Sequence, residues 1–101
     1  VLECLFDTGS DRNLFPADIA KRLGIKVEKG KLRKIGGIGD NKPIDAYTHE
    51  VKIFVDDYNF DTEIDFSFQH KIPILGRMGF MDKYESIEVN EKKKYIKLTH
   101  A

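Results

Sequence analysis

Residues 6–10 read Phe-Asp-Thr-Gly-Ser, and this stretch says more about the fold than any other part of the chain. It follows an apolar run whose members are Val1, Leu2, Cys4, Leu5 and Phe6. Such a run is typical of a buried strand, so a carboxylate, Asp7, stands where a strand gives way to a glycine turn. Asp-x-Gly by itself is ordinary turn chemistry, and these three residues alone favour a plain turn. An ionised group that follows core residues, however, needs a partner or a special role.

Length and charge place the chain among small globular domains. Its 101 residues suit a single domain, residues 1–101, with one modest core. The 17 basic and 17 acidic residues balance, so no net field favours a nucleic acid or an anionic membrane surface. No apolar run approaches the roughly 20 residues that span a bilayer, and no signal peptide is visible. We therefore expect neither a nucleic-acid partner nor a membrane association.

The cysteine and histidine content predicts a domain without disulfides, metals or cofactors. Cys4 is the only cysteine, so it cannot form an internal disulfide, and it is typical of a small buried thiol. His49, His70 and His100 are scattered and form no metal-ligand spacing with Cys4 or with nearby acids. Such a chain suits a reducing compartment, so we predict a cytoplasmic location.

The segment after the first motif predicts one extended stretch and one short helix. Residues 12–15 can resume an extended conformation. Pro16 suits the first turn of a helix and Gly24 suits a C-terminal cap, so the apolar spacing between them predicts a helix over residues 16–23. Residues 26–34 are basic and polar, and we expect them to be exposed.

The rest of the chain is typical of strands joined by turns. Residues 44–55 and 60–68 alternate apolar and polar side chains, which predicts a hairpin with one side facing the core. The polar positions of its second strand are Asp61, Glu63, Asp65 and Ser67. A short apolar strand over 72–77, one or two helical turns over 80–84 and a closing hairpin over 86–99 follow. These elements predict a mostly β fold with two short helices, a small closed or folded-over β-barrel.

Two further motifs follow the first one in a fixed order along the chain. Residues 35–39 read Ile-Gly-Gly-Ile-Gly, and residues 74–80 read Ile-Leu-Gly-Arg-Met-Gly-Phe. With Phe-Asp-Thr-Gly-Ser before them, they make the sequence resemble the retropepsin-like aspartic proteases, which include the retroviral proteases and their single-domain cellular and bacterial relatives. The form Ile-Leu-Gly-Arg-x-Gly-Phe is particularly similar to the prokaryotic members. The resemblance runs from about Leu2 to the C-terminus.

The resemblance implies a catalytic centre that is shared between two copies of the chain. Asp7 would pair with Asp7 of a second subunit across a two-fold axis, and the two carboxylates would share one proton. The ionised member would activate a water that attacks the scissile carbonyl, while the neutral member donates to the developing oxyanion. Thr8 would hydrogen-bond across the axis, and Gly9 would let the backbone turn tightly beneath the carboxylates. The implied activity is that of a homodimeric aspartic endopeptidase acting on polypeptides, without a metal or cofactor.

The resemblance also implies roles for the residues around this centre. Ser10 would hydrogen-bond to Asp7 and favour its ionised form, which predicts a mildly acidic pH optimum. Asp11 would form an ion pair with Arg77, which together with Gly76 would give structural support. Two unrelated surface charges are the alternative interpretation of Asp11 and Arg77.

The glycine-rich motif would form the tip of a flap that closes over the substrate. Gly36 and Gly37 would allow the backbone to approach a peptide closely, with Ile35 and Ile38 pointing into the cleft. The walls of the cleft would include Ile72 and Ile74 and would favour apolar substrate side chains. An ordinary turn for the glycines and a core position for the isoleucines are the alternatives.

One departure from the family pattern bears on activity. The family carries one or two strands before the catalytic Asp, whereas Asp7 is the seventh residue here. The comparison with the family pattern predicts that the N-terminal strand is absent or truncated, so the dimer would need another interface such as the closing hairpin at 86–99. The alternative function is a retropepsin-like module for dimerisation or peptide binding without proteolytic turnover.

Overall fold

The computed structural model describes residues 2–36 and 42–101, and it confirms the prediction of a mostly β domain. The strands are β1 (Leu5–Phe6), β2 (Leu14–Pro16), β3 (Lys31–Ile35), β4 (Ile44–Val55), β5 (Tyr58–Ser67), β6 (Ile74–Leu75), β7 (Ser86–Asn90) and β8 (Tyr95–Thr99). The α-helix α1 (Ala17–Arg22) lies inside the predicted range, and two 3₁₀ turns occupy Val27–Lys29 and Met81–Lys83.

Six of the strands form one sheet in the order β1-β6-β2-β5-β4-β3, and β7 and β8 form a separate hairpin. Within the described ranges the two outer strands, β1 and β3, do not pair with each other, so the sheet does not close into a barrel. The retropepsin fold is predicted correctly, but the closed barrel is not formed. No helix in the described part of the chain is both long and apolar enough to cross a membrane.

The hydrophobic core lies where helix α1 packs against the strands β2 and β5. Its buried members are Phe15, Ala17, Ala20, Val27, Ile64 and Phe66. The rings of Phe15 and Phe66 meet edge to face with centroids 6.2 Å apart, an arrangement that stabilises aromatic pairs beyond their buried area. Pro16 caps the N-terminus of α1, and Gly24 follows its end at φ +76°, where a residue with a side chain would be strained.

The expectation that residues 26–34 are exposed is wrong at Val27, and the same stretch also holds a strand that was not predicted from the sequence. Val27 is only 2% exposed and belongs to the core. Lys31–Ile35 forms β3, which pairs antiparallel with β4 from Lys31 opposite Thr48 to Ile35 opposite Ile44. Because β3 is the outer strand of the sheet, it needs no continuous apolar face, and lysines are common on such edges. The basic residues of β3 therefore gave no apolar pattern from which the strand could be predicted.

The predicted polar face of β5 also changes character along the strand. Asp61 and Glu63 are exposed as expected, whereas Asp65 and Ser67 are fully buried. At Asp65 the strand has β2 on one side and β4 on the other. The alternating pattern correctly predicted a strand with one apolar and one polar face. It did not indicate that other polar residues cover part of the polar face.

A second aromatic cluster connects the C-terminal segment to strand β1. Its members are Phe6, Tyr58, Phe60, Phe80 and Tyr84, and His100 stacks on Tyr58 with ring centroids 4.2 Å apart. Burial raises the pKa of Tyr84, with smaller contributions from Tyr58 and Asp56. The cluster attaches the segment around the closing hairpin to the main sheet.

Candidate active site

Asp7 lies at the carboxyl end of β1, at the edge of the sheet where the third motif also lies. Strands β1 and β6 are parallel, with Leu5 opposite Ile74, so their carboxyl ends meet at one edge of the sheet. The Asp7 N–H donates to the carbonyl of Leu75 at 3.1 Å. The pairing of these two short strands therefore brings residues that are almost seventy positions apart in the sequence into direct contact.

The turn after Asp7 is held by hydrogen bonds to Asp7 itself. The Ser10 N–H donates to the Asp7 carbonyl at 3.1 Å, and the Gly9 N–H donates to Asp7 Oδ1 at 2.9 Å. A Cβ atom on Gly9 would lie 3.2 Å from Asp7 Oδ1, which would crowd the carboxylate. Asp7 is half-buried, and Thr8 and Gly9 are exposed. The carboxylate is thus oriented by its own turn and presented at the protein surface.

We call residues 7–12 the catalytic loop after the role predicted for Asp7, and this loop wraps around the end of β6. The Arg77 N–H donates to the Ser10 carbonyl at 2.9 Å, and the Met78 N–H donates to the Asp11 carbonyl at 2.8 Å. Gly76 lies directly against the backbone of Arg12, where an added Cβ would be 2.5 Å from the Arg12 carbonyl carbon. Only glycine fits this approach, which gives a physical reason for the Leu-Gly-Arg sequence.

Two predicted side-chain contacts are not formed in this structure. The Ser10 hydroxyl donates to the Arg12 carbonyl at 2.9 Å and not to Asp7. Among the ion pairs of the described residues there is none between Asp11 and Arg77. Their segments are joined through the backbone, and both residues line the same surface pocket.

The buried ion pair at this place is formed by Arg12 and Asp65 instead. Arg12 Nε donates to Asp65 Oδ2 at 2.7 Å, and Arg12 Nη2 donates to Asp65 Oδ1 at 3.0 Å. This hydrogen bonding is the main reason why the pKa of Arg12 is raised; burial opposes it, and the charges of Asp65 and Glu63 add to it. Arg12 therefore remains a cation, and the planar fork fixes its orientation.

Asn13 joins three segments beneath the catalytic loop. Its side chain is 1% exposed. Its Nδ2 donates to the carbonyls of Glu63 and Gly79 at 3.1 and 3.0 Å, and its Oδ1 accepts from the Gly76 N–H at 2.9 Å. Neither Arg12 nor Asn13 was predicted as a site residue, although both closely follow the first motif. Their signal was a pair of polar residues immediately before an apolar strand.

The described part of the predicted flap is a hairpin of β3 and β4. Ile35 is half-buried at the end of β3, and Gly36 follows at φ +85°, where no atom of the described residues other than its chain neighbours lies within 4 Å of a Cβ added to it. Gly37 and Ile38 lie outside the described residues. Of the predicted wall residues, Ile74 is half-buried on β6, and Ile72 is 58% exposed beside it.

Within residues 2–36 and 42–101, no three His, Cys, Asp or Glu side chains are placed to hold a metal ion together. The carboxylate at the start of the loop is that of Asp7, beside an exposed threonine and a glycine turn. The chain carries a single Asp-Thr-Gly motif.

A strand that ends in Asp-Thr-Gly, a loop wrapped around Leu-Gly-Arg and a long antiparallel hairpin together define a retropepsin fold. The resemblance inferred from the three motifs is confirmed at the level of the fold. The structure of this chain is similar to the crystal structure of a retropepsin-like aspartic protease from Rickettsia conorii. The TM-score is 0.71, with 18% sequence identity, and the match covers 94% of this chain and 70% of the other. It is also similar to the EIAV protease complexed with the inhibitor HBY-793, with a TM-score of 0.57 and 25% identity over 75% of this chain and 70% of the other. No protein-family model matches the sequence, and no curated protein matches it closely.

Proposed function

We propose that this chain is one subunit of a homodimeric aspartic endopeptidase. The observation that carries the proposal is the placement of Asp7 at the end of β1, half-buried, with its carboxylate oriented by the Gly9 N–H. The fold adds support, because two solved structures to which the chain is similar are proteases. The substrate class is a polypeptide bound in an extended conformation.

The proposed reaction needs two carboxylates and one water. Two Asp7 side chains that face each other across a two-fold axis cannot both ionise at low cost, so they share one proton. The ionised carboxylate accepts a proton from the water as its oxygen attacks the peptide carbonyl carbon. The protonated member donates its proton to the carbonyl oxygen. As the C–N bond breaks, the carboxyl group that took the water proton passes it to the leaving amine, and a hydroxyl of the diol intermediate returns a proton to the other carboxylate as the product carboxyl group forms. The fixed turn around Asp7 supplies the orientation that such catalysis requires.

The proposed dimer would use the exposed hairpin of β7 and β8. This hairpin forms its own two-stranded sheet, and Val89, Tyr95 and Ile96 on it are 53%, 42% and 47% exposed. An isolated two-stranded hairpin is marginally stable in water, and its unpaired edges can pair with another chain. Association with a second copy would extend this sheet and cover the apolar side chains.

The first test is cleavage of a mixed peptide library between pH 4 and pH 7, read by mass spectrometry, with the dimer followed by sedimentation. Asp7→Asn should abolish cleavage while leaving the dimer intact, because it removes only the charge. Asp18→Asn is the matched control, since Asp18 is an exposed residue of α1. Cleavage that survives Asp7→Asn would refute the mechanism. A dimer that binds peptides and never cuts them would support the binding-module alternative.

A mixing experiment tests whether one site uses both subunits. Wild-type chain and Asp7→Asn chain are refolded together in equal amounts, so that about a quarter of the dimers carry two wild-type subunits. If the site needs Asp7 from each subunit, the mixture should have about a quarter of the activity of the same total amount of wild-type chain. If each chain held a complete site, about half would remain, and the shared-site proposal would be wrong.

A further inference from the structure

Asp65 is a buried carboxylate whose position the proposed reaction does not explain. It is 0% exposed on β5, and donors from two other segments reach it. Arg12 contacts both of its oxygens, and the Thr48 hydroxyl donates to Oδ1 at 2.6 Å. Burying a charge is costly unless it is paired and hydrogen-bonded in this way. A group held so completely fixes the geometry of whatever binds to it.

What binds to Asp65 is the end of the catalytic loop. The Arg12 carbonyl accepts the Ser10 hydroxyl at 2.9 Å, and the Arg12 backbone lies against Gly76. The other end of the loop is fixed by the Asp7 N–H on the Leu75 carbonyl. The loop is therefore anchored at Asp7 by the backbone of β6 and at Arg12 by the carboxylate of Asp65.

The same carboxylate is connected to the strand that leads into the predicted flap. Arg33 Nε, on β3, donates to the Thr48 hydroxyl at 2.9 Å, and that hydroxyl in turn donates to Asp65. Strand β3 ends at Ile35, at the start of the glycine-rich motif. The hydrogen bonds thus run from β3 through β4 and β5 to the catalytic loop.

We propose that Asp65 is a positioning residue for Asp7. Asp65 fixes the catalytic loop through Arg12, and it connects strand β3 to the same carboxylate through Thr48. This proposal rests on the proposed function for its catalytic consequence. Stability alone does not require the ion pair, because well-packed apolar residues of similar volume often serve a buried site equally well or better. The two-pronged contact of Arg12 with Asp65 supplies orientation, which an apolar contact would not.

The first readout is amide hydrogen exchange, which needs no activity. In Asp65→Asn, the amides of Ser10, Arg77 and Met78 should exchange about tenfold faster or more, because the loop loses its anchor at Arg12. Amides of β4 and β5 between residues 51 and 62 should keep their wild-type rates. Glu63→Gln is the matched control, since Glu63 is 56% exposed and contacts Arg12 at 3.3 Å from outside.

A milder pair of variants covers the case in which Asp65→Asn does not fold. Thr48→Val keeps the shape of the side chain but removes the hydroxyl, whereas Thr48→Ser keeps the hydroxyl. We expect faster exchange at Ser10 in Thr48→Val and near wild-type exchange in Thr48→Ser. Equal exchange at Ser10 in the two variants would overturn the proposal. So would an increase that is uniform over the whole sheet in Asp65→Asn, because that is the signature of a merely structural residue.

The second readout is the division between kcat and KM for a peptide that the wild type cleaves. Asp65→Asn should lower kcat about tenfold or more with KM changed less than about twofold, because misplacement of Asp7 affects the transition state. An unchanged kcat in a folded Asp65→Asn variant would overturn the proposal. If the wild type cleaves nothing, the proposed function fails by itself, and the exchange pattern still decides whether Asp65 positions the loop.

Discussion

Asn13→Ala is expected to destabilise this protein by about 3–5 kcal/mol, more than a typical substitution does. The side chain of Asn13 is buried and makes three hydrogen bonds to the backbones of two other segments, β5 at Glu63 and the third motif at Gly76 and Gly79. Alanine removes both donors and the acceptor at once. The methyl group of alanine cannot hydrogen-bond to Glu63, Gly79 or Gly76 in place of the amide.

The magnitude follows from what each lost contact leaves behind. The two hydrogen bonds to the Glu63 and Gly79 carbonyls, 3.1 and 3.0 Å long, contribute about 1 kcal/mol net each. The Gly79 carbonyl keeps the Thr62 hydroxyl at 2.5 Å as a donor, so it is not left unpaired. The buried Gly76 N–H loses its acceptor, which adds about 1–3 kcal/mol of desolvation. Such a loss is a large part of the roughly 5–15 kcal/mol that stabilises a small domain.

The assay is urea unfolding followed by far-ultraviolet circular dichroism at one fixed protein concentration, because association also changes apparent stability. Asn59→Ala is the matched control, since Asn59 is exposed on β5, and it should change stability by less than about 0.5 kcal/mol. Asn13→Asp should also destabilise strongly, because a carboxylate oxygen would then face two carbonyl oxygens. A loss below about 1 kcal/mol for Asn13→Ala would refute the reasoning.

Two further substitutions test the contacts around the loop and the aromatic cluster. Gly76→Ala should cost about 3 kcal/mol or more in urea unfolding, because the added Cβ would meet the backbone of Arg12; a change under about 1 kcal/mol would contradict this close approach. The Tyr84 hydroxyl is buried without a partner among the described residues, so Tyr84→Phe should keep or raise stability at pH 7, by up to about 1 kcal/mol. Because burial raises the pKa of Tyr84 above its usual 10.0, the unfolded chain loses the phenol proton first, so the stability of the wild type falls as the pH rises from about 10 towards the folded-state pKa. The wild type should therefore lose more stability than Tyr84→Phe above pH 10, and parallel losses would contradict this assignment.

The strands with a strong apolar alternation were predictable from the sequence. Residues 44–55 match β4, and the hairpin with β5 follows the period of two that a half-buried strand requires. Helix α1 was predictable from Pro16 and Gly24, which mark its two ends. In each case the signal is local, since the side chains that specify the element are neighbours in the sequence.

Buried polar contacts were not predictable in the same way. The polar position of Asp65 on an alternating strand gave no sign that Arg12, 53 residues away, would cover it. The resemblance implied an ion pair between Asp11 and Arg77. In the structure it is Arg12, the neighbour of Asp11, that forms an ion pair, and its partner Asp65 lies outside all three motifs. Partner choice among several nearby charges depends on the path of the backbone, which a single sequence does not reveal.

The arrangement of the loop bears on how the proposed dimer would work. Catalysis by paired carboxylates requires that each carboxylate be oriented before substrate binds. In one protomer Asp7 is already held by Leu75, by Gly9 and, at the far end of the loop, by the contact of Arg12 with Asp65. Association would then have to supply only the second, identical loop, at little cost in conformational entropy. The proposed enzyme is therefore expected to be limited by how tightly its subunits associate, and its specific activity should rise with protein concentration until the dimer is saturated.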